Sequence, residues 1–437
     1  MQLPVVTWGL LVLCLPKFSV AVTSLHRMNV KKDLVTMSGH SAGGSMAQTM
    51  FVSYSSRIKG IATLSHTFYR CGPGVLPDAN STLQPDDLFD ISCTNLFNPL
   101  VSELYDPNDA IADILSYFQL GLIDDPKNME GKPLYVFSGS MSYLFPLQMG
   151  LGPAQVFQPF IKNKDMIKIA VFPANLTLPS NKPGLPSCSG PLDALQIANC
   201  GFSAAFESLQ WILGKKYIRP PSKVLKLQPL LEFDQTEFFY GFGENVFDDD
   251  PVMDSIGYYY IPKACRIYGH KCLLHFYFHG CMTSRDVVGP NHVLNSGFLE
   301  VAETNGIIMI FPQTRQSVLS TLRCWDVYGY TGDFFATQLG AQVIVIKNMM
   351  DRIMGPDDPY DKKPAPTPEA EPADYYTSPK PVKNLEVSPE LLRAYEDDED
   401  NVLQNPAPYQ DVGRKNRHCT LTRVSPDTVL KRCRPAE

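Results

Sequence analysis

Between residues 32 and 354 the chain alternates short, mostly apolar runs with longer stretches of helical period. Runs at 34–37, 61–64, 133–137, 166–171, 272–278 and 307–311 are rich in Val, Ile, Leu, Phe and Tyr. They lack the strict alternation of a strand wetted on one face, so they predict strands buried on both faces. Stretches at 45–55, 204–213 and 337–354 predict helices between and after them. Buried strands alternating with helices imply an α/β fold, a mostly parallel sheet with helices on both faces. From residue 355 the pattern stops. Prolines become dense, as in Pro364-Ala365-Pro366-Thr367-Pro368, and an acidic run follows at 396–400. Such a segment buries too little apolar surface to offset its ordering entropy and reads as a largely disordered tail. Cys419 and Cys433 near its end could close a small loop.

Composition narrows the class. The 437 residues are 44% hydrophobic, enough for a large core, and the net charge of −7 argues against a broad basic nucleic-acid face. A prior of about three domains from length alone reduces to one domain at 22–354 plus the tail at 355–437. The apolar run at 5–15 is too short to span a bilayer. Followed by Ser19-Val20-Ala21, it reads as a signal peptide over residues 1–21. Its removal takes Cys14 and leaves an even set of cysteines, as suits disulfide pairing outside the cell. Sequons at Asn80 and Asn175 agree with an extracellular, secreted glycoprotein. No other run is long enough for a membrane span. No His/Cys spacing suggests a metal, and Gly241-Phe242-Gly243 lacks the context of a dinucleotide site, so no cofactor is expected.

One motif carries chemistry. Gly39-His40-Ser41-Ala42-Gly43 matches G-x-S-x-G, with an apolar strand before it and a small-residue helix after it. That context is the nucleophile elbow of α/β hydrolases, in which Ser41 is the nucleophile and the Ala42 N–H faces an oxyanion. A second strand, 272–278, runs into His279-Gly280-Cys281, which would bring the Cys281 N–H to the same oxyanion hole. It follows the nucleophile, whereas in most such enzymes it precedes it.

This order and the surrounding words resemble the extracellular poly(3-hydroxybutyrate) depolymerases, a circularly permuted α/β-hydrolase family. The likeness runs from about residue 29 to 351. It is carried by SGHSAGGSMAQ (38–48), YSSRIKGIATLSHTFYRCG (54–72), PLYVFSG (133–139) and NCGFSAAFESLQWILG (199–214). YYYIPKAC (258–265), LLHFYFHGC (273–281), ETNGIIMIFPQT (303–314) and CWDVYGYTGDFFATQLGAQV (324–343) complete it. The resemblance implies a serine esterase acting on polyester or short hydroxyacid esters. It also implies disulfides Cys71–Cys93, Cys188–Cys200, Cys265–Cys272 and Cys281–Cys324. Trp325 matches a position lining the family's substrate cleft; ordinary packing is the alternative.

The chain departs from the pattern at two positions. The acid position after the strand at 134–137 holds Ser142, and no carboxylate lies between Glu130 and Asp165. The base position, read as the residue ahead of a Phe-Pro pair, holds Ala170. A serine hydroxyl without base and orienting acid is a weak nucleophile. A secreted, catalytically impaired relative that binds a ligand or partner, with a polyester or small ester as the candidate ligand, is therefore expected. The alternatives are an active esterase using His40, His66 or His292 as substitute base, or a non-catalytic extracellular binding protein. His279 is expected to shape the oxyanion loop. The partner of the tail is open.

Overall fold

The structure, a computed structural model, describes residues 22–71, 89, 92–95, 106–222, 225–244, 246, 249–355, 417–425 and 428–435. The expected signal peptide, the sequon at Asn80 and most of the tail lie outside them.

Eight strands form one sheet in the order β4-β3-β2-β1-β9-β10-β8-β7. These are β1 (Val30–His40), β2 (Gly60–Leu64), β3 (Leu134–Gly139), β4 (Ile167–Phe172), β7 (Leu231–Asp234), β8 (Ile256–Tyr260), β9 (Cys272–Phe278) and β10 (Ile307–Phe311). Strands β4, β3, β2, β1, β9 and β10 are parallel, and β8 runs against both β10 and β7. A small separate pair, β5 (Leu178–Ser180) and β6 (Ile197–Asn199), lies beyond β4 in the chain. The chain thus begins at the sheet's centre, moves out to the β4 edge, and returns from the β7 edge to lay β9 beside β1. That is the permuted α/β-hydrolase order the motif sequence implied.

Both faces of the sheet are buried, and the side-chain period of two divides each strand between them. Leu134 and Val136 of β3 enter one cluster with Val52, Phe157 and Met350, while Tyr135 and Phe137 enter a second with Leu209 and Val301. Helix α1 (Ala42–Ser53) is buried along its whole length, which explains its small residues and the absence of a polar face. It begins at Ala42, earlier than the pattern suggests, because the chain turns into the helix directly from Ser41. The last helix (Ala341–Met354) begins later than expected. Gly340 leaves no room for a side chain, since a Cβ there would fall 2.0 Å from the Phe335 carbonyl oxygen. Strands β7 and β8 were not foreseen; Pro262 and the polar flanks hide them.

All four disulfides implied by the resemblance are present: Cys71–Cys93, Cys188–Cys200, Cys265–Cys272 and Cys281–Cys324. In the tail, β11 (Arg417–Ser425) and β12 (Thr428–Pro435) form an antiparallel hairpin where only a loop was expected. Its register sets Cys419 directly opposite Cys433. Among the described residues no helix is long and apolar enough to cross a membrane.

Candidate active site

Ser41 stands alone between β1 and α1. Its backbone (φ 52°, ψ −131°) is one that non-glycine residues rarely adopt, at a cost of order 1–3 kcal/mol. Neighbouring contacts hold it there. The Ser41 N–H donates to the Leu64 carbonyl at 2.9 Å, and its own carbonyl accepts from the Gly44 N–H at 2.7 Å. Both motif glycines are required by space. A Cβ on Gly39 would fall 1.9 Å from the Gly43 oxygen, and one on Gly43 would fall 2.1 Å from the Phe278 oxygen. Ala42 occupies the first turn of α1, so its N–H has no intrahelical carbonyl to reach.

The contact at Gly43 also brings up the loop at 279–281. It lets the end of β9 press against the first turn of α1. Beyond it, Gly280 sits so close that a Cβ there would stand 3.0 Å from Ser41 Cβ. Cys281 follows, tied to Cys324 by its disulfide. Its carbonyl accepts from Gln196 Nε2 at 3.1 Å. His279 braces the loop. Its Nδ1 bonds the Gly280 carbonyl at 2.7 Å, and its Nε2 accepts from the Thr314 N–H at 3.2 Å. Burial holds its pKa down at about 4, so it is a neutral strut. The expectation that His279 shapes this loop matches the geometry.

The ends of β3 and β4 lie on the other side of Ser41. Ser142 follows β3, is buried, and donates its N–H to the Gly139 carbonyl while its Oγ accepts from the Phe145 N–H. Ala170 is a different matter. It lies inside β4, paired with Phe137, and packs with the cluster on the face opposite α1. That cluster lies on the side of the sheet away from α1, the helix that follows Ser41. The segment that returns over the site is 174–177. The Ala174 carbonyl accepts from the Met141 N–H at 3.0 Å, and the Thr177 carbonyl accepts from Ser65 Oγ at 3.3 Å. Ser65 adjoins Leu64, the residue that holds the Ser41 amide. Leu176 lies in this segment, buried in the cluster on the α1 face. The Phe-Pro signal pointed to the strand; only the register shows the residue beyond it.

The histidines weighed as substitutes are all buried and all neutral near pH 7. His292 uses both nitrogens, on Tyr277 Oη at 2.9 Å and the Leu195 carbonyl at 2.8 Å. His66 places Nδ1 on the Thr67 carbonyl at 3.1 Å and packs its ring against Phe145. Burial depresses its pKa to about 4, and that of His292 to about 4. His40 has no partner for either nitrogen among the described residues, and burial drives its pKa down to about 3.

Trp325 is fully buried. Its Nε1 donates to the His279 carbonyl at 3.0 Å, and its ring packs edge-on to Phe278. It packs behind the loop at 279–281. The sequence reading missed two neighbours. Asp326 is buried and folds the loop after Trp325 around itself. It accepts from the N–H groups of Tyr328, Gly329, Tyr330 and Thr331 and from the Thr331 hydroxyl. Burial raises its pKa, and these donors oppose the rise. Gln196, on a strained backbone (φ 52°), is the second. Among the described residues no group of three His, Cys, Asp or Glu could hold a metal.

No family model matches the chain. It is 27% identical over 357 residues to the poly(3-hydroxybutyrate) depolymerase of Delftia acidovorans, covering 79% of this chain and 66% of that protein, about two thirds of its length. It is 25% identical to the polyhydroxybutyrate depolymerase of Talaromyces funiculosus, covering 77% of this chain and 94% of that protein. Among solved structures, the PHB depolymerase from Penicillium funiculosum superposes with a TM-score of 0.63 at 25% identity, covering 76% of this chain and 99% of that one. A PHB depolymerase variant complexed with an R3HB trimer gives 0.64 at 24% identity, with the same coverage. The permuted sheet, the elbow at Ser41, the loop at Cys281 and these likenesses place the chain in the PHB depolymerase-like family of α/β hydrolases.

Proposed function

We propose that this protein is a secreted, catalytically impaired member of the family that binds an ester through Ser41 and the N–H groups of Ala42 and Cys281. One observation carries the reading. The segments that follow β3 and β4 carry Ser142 and Leu176, neither of which titrates, and the second segment bonds, through the Thr177 carbonyl, to Ser65 next to the residue that holds the Ser41 amide. Without a base the Ser41 proton has no acceptor. Without an acid no imidazole would be oriented, even if one were present. Losing triad members costs on the order of 10⁴ to 10⁶ in rate and leaves only the contribution of oxyanion hole and binding. The buried, mostly engaged histidines give no support to the alternative of an active esterase with a substitute base.

The proposed ligand class is a polyester segment or a small hydroxyacid ester, by analogy with the trimer complex of the structural neighbour. Four disulfides support an oxidising compartment and hence secretion. An N-glycan at Asn175 would stand beside Leu176 at the rim and exclude bulky polymer. The residue is half-buried, with its Oδ1 accepting from the Leu176 N–H at 2.8 Å.

The test is labelling with a fluorophosphonate, comparing wild type with Ser41→Ala. Slow or absent labelling of both is expected; rapid Ser41-dependent labelling overturns the reading. Reconstruction is the complement. Ser142→Asp with Leu176→His should restore hydrolysis of a short p-nitrophenyl ester, whereas Ser142→Asp with Ala170→His should not.

A further inference from the structure

The far end of the sheet from Ser41 has no part in the scheme above. Strand β9 is seven residues long, which places its first residue about 20 Å from the Ser41 end. At that far end the chain passes from β8 to β9 through a loop clamped by the Cys265–Cys272 disulfide. The tip of the loop is a turn. It is closed by the His270 N–H on the Ile267 carbonyl at 3.2 Å, and Gly269 supplies its left-handed residue (φ 79°). This turn carries two apolar side chains outward: Ile267 keeps 64% of its surface in water and Tyr268 all of it. The disulfide, and a bond of 3.1 Å from Asn29 Nδ2 to the His270 carbonyl, hold the loop in that position.

Cations surround this tip. Lys263, Arg266 and Lys271 are exposed, and the stretch 262–272 contains no carboxylate. The neighbouring strand end adds Lys31, which follows Val30, the register partner of Cys272. Its Nζ lies 4.9 Å from the centre of the Tyr217 ring, and Lys216 Nζ approaches the same ring at 5.4 Å. Among the described residues none of these cations makes a salt bridge. Glu303 reaches this end, but its carboxylate accepts from the Tyr260 hydroxyl at 2.5 Å and the Lys263 N–H at 3.2 Å. Unpaired cations around an exposed Ile–Tyr pair call for a partner that is anionic and also offers apolar depth. A sulfated glycan or an acidic protein would answer the charge and leave Ile267 in water. A bilayer bearing anionic lipid answers both. Tyrosine settles among the headgroups, the aliphatic residue enters the acyl boundary, and the long cationic side chains extend back to the phosphates.

We propose that the loop at 263–271, with Lys31 and Lys216 beside it, docks this protein on the surface of an anionic bilayer. The docking is peripheral, one turn deep, and is separate from whatever Ser41 does. The Ser41 end of the sheet then points away from the lipid, so docking and ester binding do not compete. Each Lys or Arg held near such a surface strengthens binding about fivefold. The attraction is screened over about 10 Å at about 0.1 M salt, so it acts through the cations of this end and not through the rest of the domain.

The experiment uses the full-length chain and co-sedimentation with vesicles of phosphatidylcholine, with or without phosphatidylserine. Binding to the phosphatidylserine vesicles is expected to be at least about tenfold tighter than to the neutral ones and to weaken as salt rises. Ile267→Ser together with Tyr268→Ser should weaken it at least about fivefold. Lys263→Gln, Arg266→Gln and Lys271→Gln together should weaken it at least about twentyfold and flatten the salt dependence. All of these side chains are exposed, so the variants should keep the parent's circular dichroism and melting temperature. Tyr268→Trp adds a reporter whose emission should shift to the blue on phosphatidylserine vesicles. No binding to those vesicles overturns the proposal, as does binding that both sets of variants leave unchanged. Weakening by the charge variant alone, with no blue shift and with equal binding to heparin, identifies a soluble polyanion as the partner and overturns the bilayer.

Discussion

Acidification should unfold this protein earlier than its carboxylates would. Among the described residues five histidines, His40, His66, His275, His279 and His292, are buried. Burial holds their pKa values at about 3, 4, 3, 4 and 4 respectively, against an ordinary histidine value of 6.5. The sign follows from linkage. A base whose folded pKa is depressed binds its proton first in the unfolded chain, so its neutral burial is free of cost above pH 6.5. Stability is then lost as pH falls from 6.5 toward the folded pKa. At pH 5.5 each such histidine favours the unfolded state by about 1 kcal/mol, and the five together by several kcal/mol. A domain has about 5–15 kcal/mol in total. The window from pH 7.5 to 5.5 lies above the usual carboxylate range, so these histidines dominate it. Urea unfolding followed by tryptophan fluorescence at several pH values gives the slope, and hence the protons taken up. Four to five protons near pH 5.5 are expected, and His275→Gln should remove one. A loss of stability below about 1.5 kcal/mol across the window would refute the reasoning, since it would mean the histidines are accessible.

Other outcomes follow from the same geometry. Gly39→Ala places a methyl on the Gly43 oxygen and should cost about 3 kcal/mol or prevent folding, read by urea midpoint and soluble yield. Asp326→Asn offers an amide N–H to the Thr331 N–H and hydroxyl, which both donate. It should cost about 2–3 kcal/mol in chemical denaturation. Non-reducing peptide mapping should recover Cys419 linked to Cys433, since their strand positions face each other; separate, reducible-free thiols would contradict the pairing.

Much of the fold was legible because it rests on local pattern. Runs of apolar residues mark strands buried on both faces, and the spaced glycines around Ser41 mark a turn that only glycine neighbours permit. The order of these words along the chain implied the permuted sheet. The path of the chain after β4 was not legible. Ala170 and Leu176 are six residues apart in sequence, and both are apolar. They differ in that Ala170 sits on the face of β4 away from α1, whereas the chain crosses back over β3 and β2 before reaching Leu176. Trp325 was equally open between cleft and core until its ring was seen closed behind the oxyanion loop.

The sequence by itself determined the class of protein: a permuted α/β hydrolase with a serine at the strand–helix turn and paired cysteines. These follow from residue type and short-range order, where sterics and hydrophobic period act within a few residues. Tertiary structure decided which residues meet Ser41. Leu64 and Gly280 come from separate stretches, and nothing local to either signals the other. Their meeting depends on strand register and on close approach at Gly43 and Gly280, where a single Cβ would hold the chains apart.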